Sequence, residues 1–388
     1  MEKLTTSEFR GLEATHNLSD AHVHLQPSGL QKRLIIDRLP QLFKQAMACS
    51  QTQVDALAAR DFMMLSGQLS ASSSEWFLPV YASSISIDIV ADYLARSHLT
   101  VALVEPTFDN IPDLMKRHGV SLQSMRLVPT QTYGETVLQA ARRNDIDVIF
   151  LVMPNNPTGD FIPEAAFREV AQHCAIHGKL IVLDTSFRLF ESGAMFDQHA
   201  ILGEAEVQYI VIEDTGKFWP SLDLKLSFIF ASPTLRTGLT AIYQDLLLNV
   251  SPLISLLVSK YSNVSAIDDL RSVRTPIAIN RRRLRKTLGF LMGSNCVAYP
   301  QSRVSVEFVR LPSPLRSSQL VRELELSGVA ILPGTLFFWS NPELGESYIR
   351  IALSRPPKAF ARAMENLSLL IDHSNNQLVP TLKVWADE

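Results

Sequence analysis

Cysteine is scarce in this chain: 388 residues hold three, Cys49, Cys174 and Cys296, odd in number and far apart. That argues against a disulfide framework and leaves no CxxC pair to hold a metal, so no metal is expected and a reducing cytoplasm fits best. Long apolar runs are missing too. No stretch of 18 apolar residues occurs, and the opening MEKLTTSEFRGLEATHN lacks a basic start followed by an apolar core, so neither a membrane span nor a secretion signal is expected. Positive charge is not in surplus: 36 Lys and Arg against 39 Asp and Glu give a net charge of -3, which provides no cationic field for nucleic acid. The single basic run, Arg281, Arg282, Arg283, Arg285 and Lys286, reads as a solvated helix face. Internal repeats, low-complexity tracts and Gly/Ser linkers are also lacking, so the domains are expected to be interwoven.

What is present is ordinary globular composition, 46% hydrophobic and 19% charged, in a chain long enough for a large domain and a smaller one. Short apolar runs rich in β-branched residues fall at 99–104, 147–152, 180–183 and 209–212. They alternate with helical spacing such as 164–177, a pattern that predicts βαβ units and a parallel sheet covered on both faces. After residue 280 the pattern changes to strand-like 304–310, helix-like 317–326, strand-like 329–332 and 348–353, and an amphipathic stretch over 358–371, which predicts a smaller α+β domain. The segment 242–271 reads as a bent connecting helix with Pro252 marking a kink or a start. The expected division is an N-terminal arm over 1–44 acting as substrate lid and part of the small domain, a large domain over 45–280, and a small C-terminal domain over 281–388.

Several residues in this frame carry chemistry. Pro154-Asn155-Asn156-Pro157-Thr158-Gly159 follows a strand-like run. A turn there aims the Asn156 amide out of the C-terminal end of a parallel sheet, although Asn-Pro also makes plain turns. Asp184 ends the run LIVLD, where a buried carboxylate can hold a pyridine nitrogen protonated, or a helix cap can sit. Lys217 follows YIVIED. A Lys so placed is either a surface residue or a desolvated amine able to form an imine with an aldehyde. Ser83-Ser84-Ile85-Ser86 opens a helical segment whose N–H groups and hydroxyls suit a phosphate or a plain cap. Phe108 can stack on a planar ring or fill the core, and Arg350, within YIRIALS, is an inward anion ligand or an edge-strand charge.

NNPTG, Asp184, Lys217 and Arg350, in that order and at those intervals, resemble the fold-type I pyridoxal 5'-phosphate (PLP) enzymes of the aspartate aminotransferase superfamily over roughly residues 80–355. The resemblance implies an α/β fold with a mainly parallel, seven-stranded type of sheet in the large domain and a smaller α+β C-terminal domain. It also implies a homodimer. By it, Asn156 bonds the phenolic oxygen of the cofactor, Asp184 its ring nitrogen and Lys217 its aldehyde carbon, while Arg350 takes the substrate carboxylate. Phe108 stacks on the ring, Ser84 and Ile85 supply phosphate-binding amides, and Ser186 and Lys225 complete the cofactor set.

Three positions depart from a transaminase. Phe187 stands where Tyr usually bonds the cofactor oxygen, Asp214 where Ser usually serves the phosphate, and Lys225 where Arg is common. With EDTGKFWPSLDLK, LDTSFRLF, EPTFDNIPDL and SPLISLL, these departures resemble a narrower group, the PLP-dependent, O2-consuming arginine oxidases and hydroxylases, which includes the hydroxylase of enduracididine biosynthesis. That resemblance covers nearly the whole chain, LTTSEF and DAH included. It implies that Thr5, Glu8 and Asp214 receive the guanidinium of L-arginine and that His22 lies near the reacting face as acid or base. A guanidinium offers five donors and a fixed charge, which two carboxylates and a hydroxyl suit; Thr5 and Glu8 also stand at capping-box spacing. The expected products are 2-ketoarginine and 4-hydroxy-2-ketoarginine, with ammonia and peroxide. The alternative is an aminotransferase for a basic amino acid.

Overall fold

A computed structural model describes residues 4–127 and 131–369. The end of the amphipathic stretch, 370–371, the rest of the C-terminal domain to 388, and the side chain of Thr5 lie outside the described residues.

Twelve strands occur among these residues: β1 (His16–Asn17), β2 (Leu78–Val80), β3 (Thr100–Glu105), β4 (Ser121–Arg126), β5 (Val148–Val152), β6 (Leu180–Asp184), β7 (Tyr209–Asp214), β8 (Ser227–Ala231), β9 (Val306–Arg310), β10 (Val329–Ala330), β11 (Leu332–Pro333) and β12 (Tyr348–Ala352). Seven form one sheet in the order β2-β8-β7-β6-β5-β3-β4. Only β8 runs against its neighbours β2 and β7. β5 and β6 are buried along their whole length, as expected of parallel strands with helices on both faces. The fold is the mainly parallel α/β sheet that the alternating apolar runs predict.

Register sets the site. Val152 pairs with Asp184 and Asp184 with Ile212, so β5, β6 and β7 end nearly level. The chain leaves them at one edge of the sheet with Asn155 and Asn156, then Asp184, then Lys217, side by side. This is the carboxyl edge where open α/β sheets bind ligands.

Two strands of this sheet carry weaker signals. β4, SLQSMR, is a polar edge strand with one buried residue, and β8, SFIFA, is buried throughout but only five residues long. The segment 242–271 is not one bent helix. A helix ends at Leu246 and Pro252 opens another, Pro252–Ile267, from its first turn, where a missing N–H costs nothing. A third, Arg271–Met292, carries the basic run. That run is not a uniformly solvated face: Arg281 is buried, and both it and Arg285 donate to Glu307 on β9 (2.9 and 2.8 Å).

β11, β12 and β9 make a small antiparallel sheet in which Arg350 pairs with Leu332 on one side and Phe308 on the other. The N-terminal segment docks here. β1 pairs with β10, the Ala352 N–H donates to Leu18 O (2.8 Å) and the His24 N–H to Ser354 O (3.0 Å). No described helix is long and apolar enough to cross a membrane.

Candidate active site

Asp184 is buried at the end of β6, and both Ser186 hydrogen bonds go to one of its oxygens: the N–H at 2.9 Å and the hydroxyl at 2.6 Å. Oδ2 is left for another donor. Burial pushes this carboxyl up to about 6 against the pull of Ser186, and Asp214 adds to the rise. A buried acid so placed calls for a cationic partner. Ser186 therefore acts here through Asp184. Phe187 is buried and packs on Phe190 (5.9 Å between centroids), which packs on Phe218 (5.0 Å) next to Lys217.

Lys217 follows the end of β7, beyond Asp214 and Gly216. Asp214 is buried, accepts the Gly216 N–H (3.0 Å) and lies 3.4 Å from the Ser83 hydroxyl; burial pushes its carboxyl up, opposed by Lys217. A side chain at 216 would strike the Lys225 stem and crowd the Asp214 carboxylate, so glycine leaves room for Lys225. Lys225 donates to Asp223 (3.1 Å). The helix Ser83–Arg96 begins with no side-chain cap, and its Ile85 N–H is spent on Ala82 O (3.0 Å). Ser84 is the residue there with its amide and hydroxyl uncommitted.

Arg350 is wholly buried and its Nε has no partner. Its Nη2 donates to Glu8 (3.1 Å) and to Ser19 O, its Nη1 lies 3.5 Å from Asn156 Oδ1, and the guanidinium rests over Phe337 (5.3 Å). The structure thus joins Arg350, Asn156 and Glu8. It does not join Glu8 to Asp214, which stays with Ser83 and Gly216. Thr5 lies inside the helix Leu4–Gly11, not before it as a cap. Phe108 is half-buried against the aromatic cluster of Phe308, Phe337 and Phe338.

His22 sits with Nδ1 3.9 Å from both Asp20 and Asp223. Burial and the nearby Lys217 ammonium lower it to about 4, in spite of the two carboxylates; the imidazole is neutral at pH 7 and able to accept a proton. Its backbone is held by Asp20 and Arg355. Asp20 accepts from the Asn17 amide (2.6 Å), the His22 N–H (2.9 Å), His24 Nε2 (3.0 Å) and Arg355 (3.1 Å). Arg355 also donates to the carbonyls of Asn17 (2.6 Å), Asp20 (2.9 Å) and His22 (3.0 Å). Burial works against the Asp20 charge, yet His24 and Arg355 hold the carboxyl well below the usual range. Asp20, Asp223 and Arg355 escape a reading from the sequence; the one local signal was the Asp of DAH. A cavity of 730 Å³ opens beside them, lined by Glu8, Asp20, His22, Asp223, Leu222 and Phe9 among others.

The family model for aminotransferase class I and II matches residues 74–367. The chain belongs to this family. A histidinol-phosphate aminotransferase of Desulfitobacterium hafniense is 24% identical over 155 residues, 38% of this chain and 41% of that protein, so the match spans about two fifths of that relative. The structure of MppP soaked with the product 2-ketoarginine is similar at 34% identity, covering 91% of this chain and 99% of that one, with a TM-score of 0.83. Aspartate aminotransferase from Thermus thermophilus with maleate, at 14% identity and TM-score 0.77 over 95% and 97% of the two chains, shares the fold.

PLP is the cofactor of this fold type, and the residues present fit it. Asp184 leaves one oxygen open to a protonated ring nitrogen. Lys217 would serve as the amine that holds the cofactor, Asn156 as donor to its phenolic oxygen, and Ser84 with the uncapped helix end as phosphate ligands.

Proposed function

We propose that this enzyme oxidises L-arginine at Cα with O2, giving 2-ketoarginine, ammonia and peroxide, and 4-hydroxy-2-ketoarginine by a further oxidation. The observation that carries this reading is Asp214, a buried carboxylate acted on by Lys217 and standing in the position where a transaminase serves the phosphate, together with Glu8, Asp20 and Asp223, which line the cavity beside His22. Carboxylates in such number suit a cationic side chain, and the likeness to a protein solved with 2-ketoarginine supports arginine. Bound PLP supplies the electron sink that makes the Cα proton removable. Lys217 would take that proton, Asp184 keep the ring nitrogen charged, Arg350 hold the α-carboxylate, and neutral His22 accept or return a proton near the substrate's reacting face. As a balanced reaction, arginine, O2 and water give the keto acid, ammonia and hydrogen peroxide. The active form we infer is a homodimer.

The family match and the curated relatives favour one other reading, transfer of the amino group to a keto acid. An oxygen electrode with arginine as sole substrate separates the two. Oxygen uptake in step with 2-ketoarginine formation is expected; the proposal fails if no O2 is consumed and turnover needs an added keto acid.

Glu8 makes the arginine assignment testable on its own. Its carboxylate sits on Arg350, where an α-carboxylate would bind, so an arriving arginine must take Arg350 and hand its guanidinium to Glu8, an exchange of partners. Glu8→Gln is expected to raise KM for arginine by about tenfold or more, the scale of one lost charge-assisted contact. The same change should strengthen inhibition by a simple monocarboxylate, because Arg350 is then uncovered. A lower KM for arginine would mean that Glu8 only obstructs Arg350.

His22 fixes a pH expectation. A group near 4 stays neutral from pH 5 upward, so in the cofactor-free protein NMR of the imidazole should show no titration of this residue between pH 7 and pH 5.5. Asp223→Asn removes one of the anions that raise His22 and should move its titration lower still, read by NMR of the imidazole.

A further inference from the structure

The basic run on the helix Arg271–Met292 plays no part in this chemistry, yet the structure gathers it around a cavity. Five arginines line that cavity of 440 Å³: Arg274, Arg281, Arg282, Arg285 and Arg303, together with Phe190 and Ser302. The carboxylates among them are few. Glu307 accepts from both Arg281 (2.9 Å) and Arg285 (2.8 Å), and Glu191 lies 4.0 Å from Arg303. Three acids, counting Asp269, which acts on Arg274, against five guanidinium groups leave a surplus of positive charge in a chain whose net charge is -3.

The five differ in what they are doing. Arg285 donates to the carbonyls of Pro300 (2.8 Å) and Tyr299 (3.3 Å), Arg281 to those of Val304 and Val306 (3.3 Å), and Arg274 to Leu189 O (2.8 Å). These contacts fix three guanidinium planes in place, with donors to spare in each fork. Arg282 is exposed and has no hydrogen bond or ion pair among the described residues, and the side chain of Arg303 is 70% exposed with only the distant Glu191. Burial lowers Arg281 and Arg274 most; Glu307 opposes this at Arg281, and Asp269 and Glu191 at Arg274, while Arg285 and Arg303 add repulsion at Arg281 and Arg303 at Arg274. A fold gains nothing from crowding like charges unless something neutralises them, and a preformed wall of forks loses little freedom on meeting an oxyanion.

We propose that this cavity is a binding site for a small polyanion, a molecule carrying two or more phosphate or carboxylate groups, gripped by Arg282 and Arg303 against the fixed wall of Arg274, Arg281 and Arg285. The volume is within the range of small-molecule sites. The site is distinct from the phosphate cradle at Ser84 and from Arg350. Its walls are the 300–303 loop, in which Ser302 rests on Gly159 of the NNPTG turn, and Phe190, which packs on Phe218 beside Lys217.

The test uses the PLP-loaded enzyme, so that the cofactor's own phosphate site is filled. Inorganic pyrophosphate and citrate are titrated separately by calorimetry at about 0.15 M salt, where loose surface charge is largely screened. Saturable binding of at least one is expected, and whichever binds more tightly tells phosphate from carboxylate chemistry. The double variant Arg282→Ala/Arg303→Ala, which alters two exposed residues, should weaken that binding at least tenfold while leaving cofactor absorbance unchanged. The proposal is overturned if neither anion saturates by about 20 mM, well beyond the range of a specific site, or if the double variant binds as the parent does.

Discussion

Asp184→Asn should lower turnover by about a thousandfold or more while making the cofactor-free protein more heat-stable at neutral pH. The two effects have one cause. In the folded chain burial raises Asp184 to about 6, against 3.8 for an ordinary Asp. Between these values the folded state holds a proton that the unfolded state has lost, so stability falls as pH rises through that window and stays low above it. A difference of that size amounts to about 3 kcal/mol at neutrality, a cost that pairing with a protonated ring nitrogen would offset. An amide removes the cost. The melting temperature of the variant without PLP should exceed that of the parent by a few degrees at pH 7.5, and the gap should narrow as pH falls towards 4 and vanish only below the ordinary Asp value of 3.8, where the parent carboxyl is protonated in both states. The amide also cannot keep the ring nitrogen charged, and the loss of a preorganised charge at the reacting centre costs on the thousandfold scale. Calorimetry across pH and initial rates measure the two halves; equal melting temperatures at pH 7.5 would show that Asp184 is not the strained acid its burial makes it.

The strand ends were the legible part of this site. Asn156, Asp184 and Lys217 each follow a short apolar run, and once those runs are read as neighbouring parallel strands, register alone brings the three residues together. Arg350 was legible for a similar reason, a charge in the middle of an apolar strand. The contacts made by the N-terminal segment were not. Glu8 and Arg350 lie 342 residues apart, and nothing in the local pattern around either announces the other. Asp20 reads as one acid in a polar stretch until Arg355 closes on it, and Asp223 stands in a turn where two successive residues, Leu222 and Asp223, have positive φ (53° and 60°), a conformation that no composition signal gives away for a Leu. The basic run misled because charge in a row along a helix does not say which members turn inward; Arg281 does, because Glu307 waits on β9.

The same contacts divide the N-terminal arm into two parts with different consequences for truncation. From residue 16 onward the arm is built into the small sheet: β1 pairs with β10, Leu18 is buried at 2% exposure, Ala21 is buried, and Asp20 is locked by Arg355. Before that, the helix Leu4–Gly11 carries exposed Phe9 (70%) and reaches the site through Glu8, which is paired with Arg350. Deleting residues 1–12 should therefore leave PLP bound and lower the melting temperature less than the longer truncation does, while costing about a hundredfold or more in kcat/KM for arginine, since the proposed contact of Glu8 to the guanidinium and the cover over the site would be lost together. Deleting residues 1–22 should do more: it strips β1, exposes apolar core and leaves Arg355 buried without its carboxylate, a loss of several kcal/mol, visible as a lower melting temperature of the holoenzyme. Cofactor absorbance, melting temperature and kcat/KM measured on both truncations distinguish these outcomes. Unchanged kcat/KM in the shorter deletion would remove Glu8 and its helix from substrate recognition, while leaving intact the assignment of Asp184 and Lys217 to the cofactor.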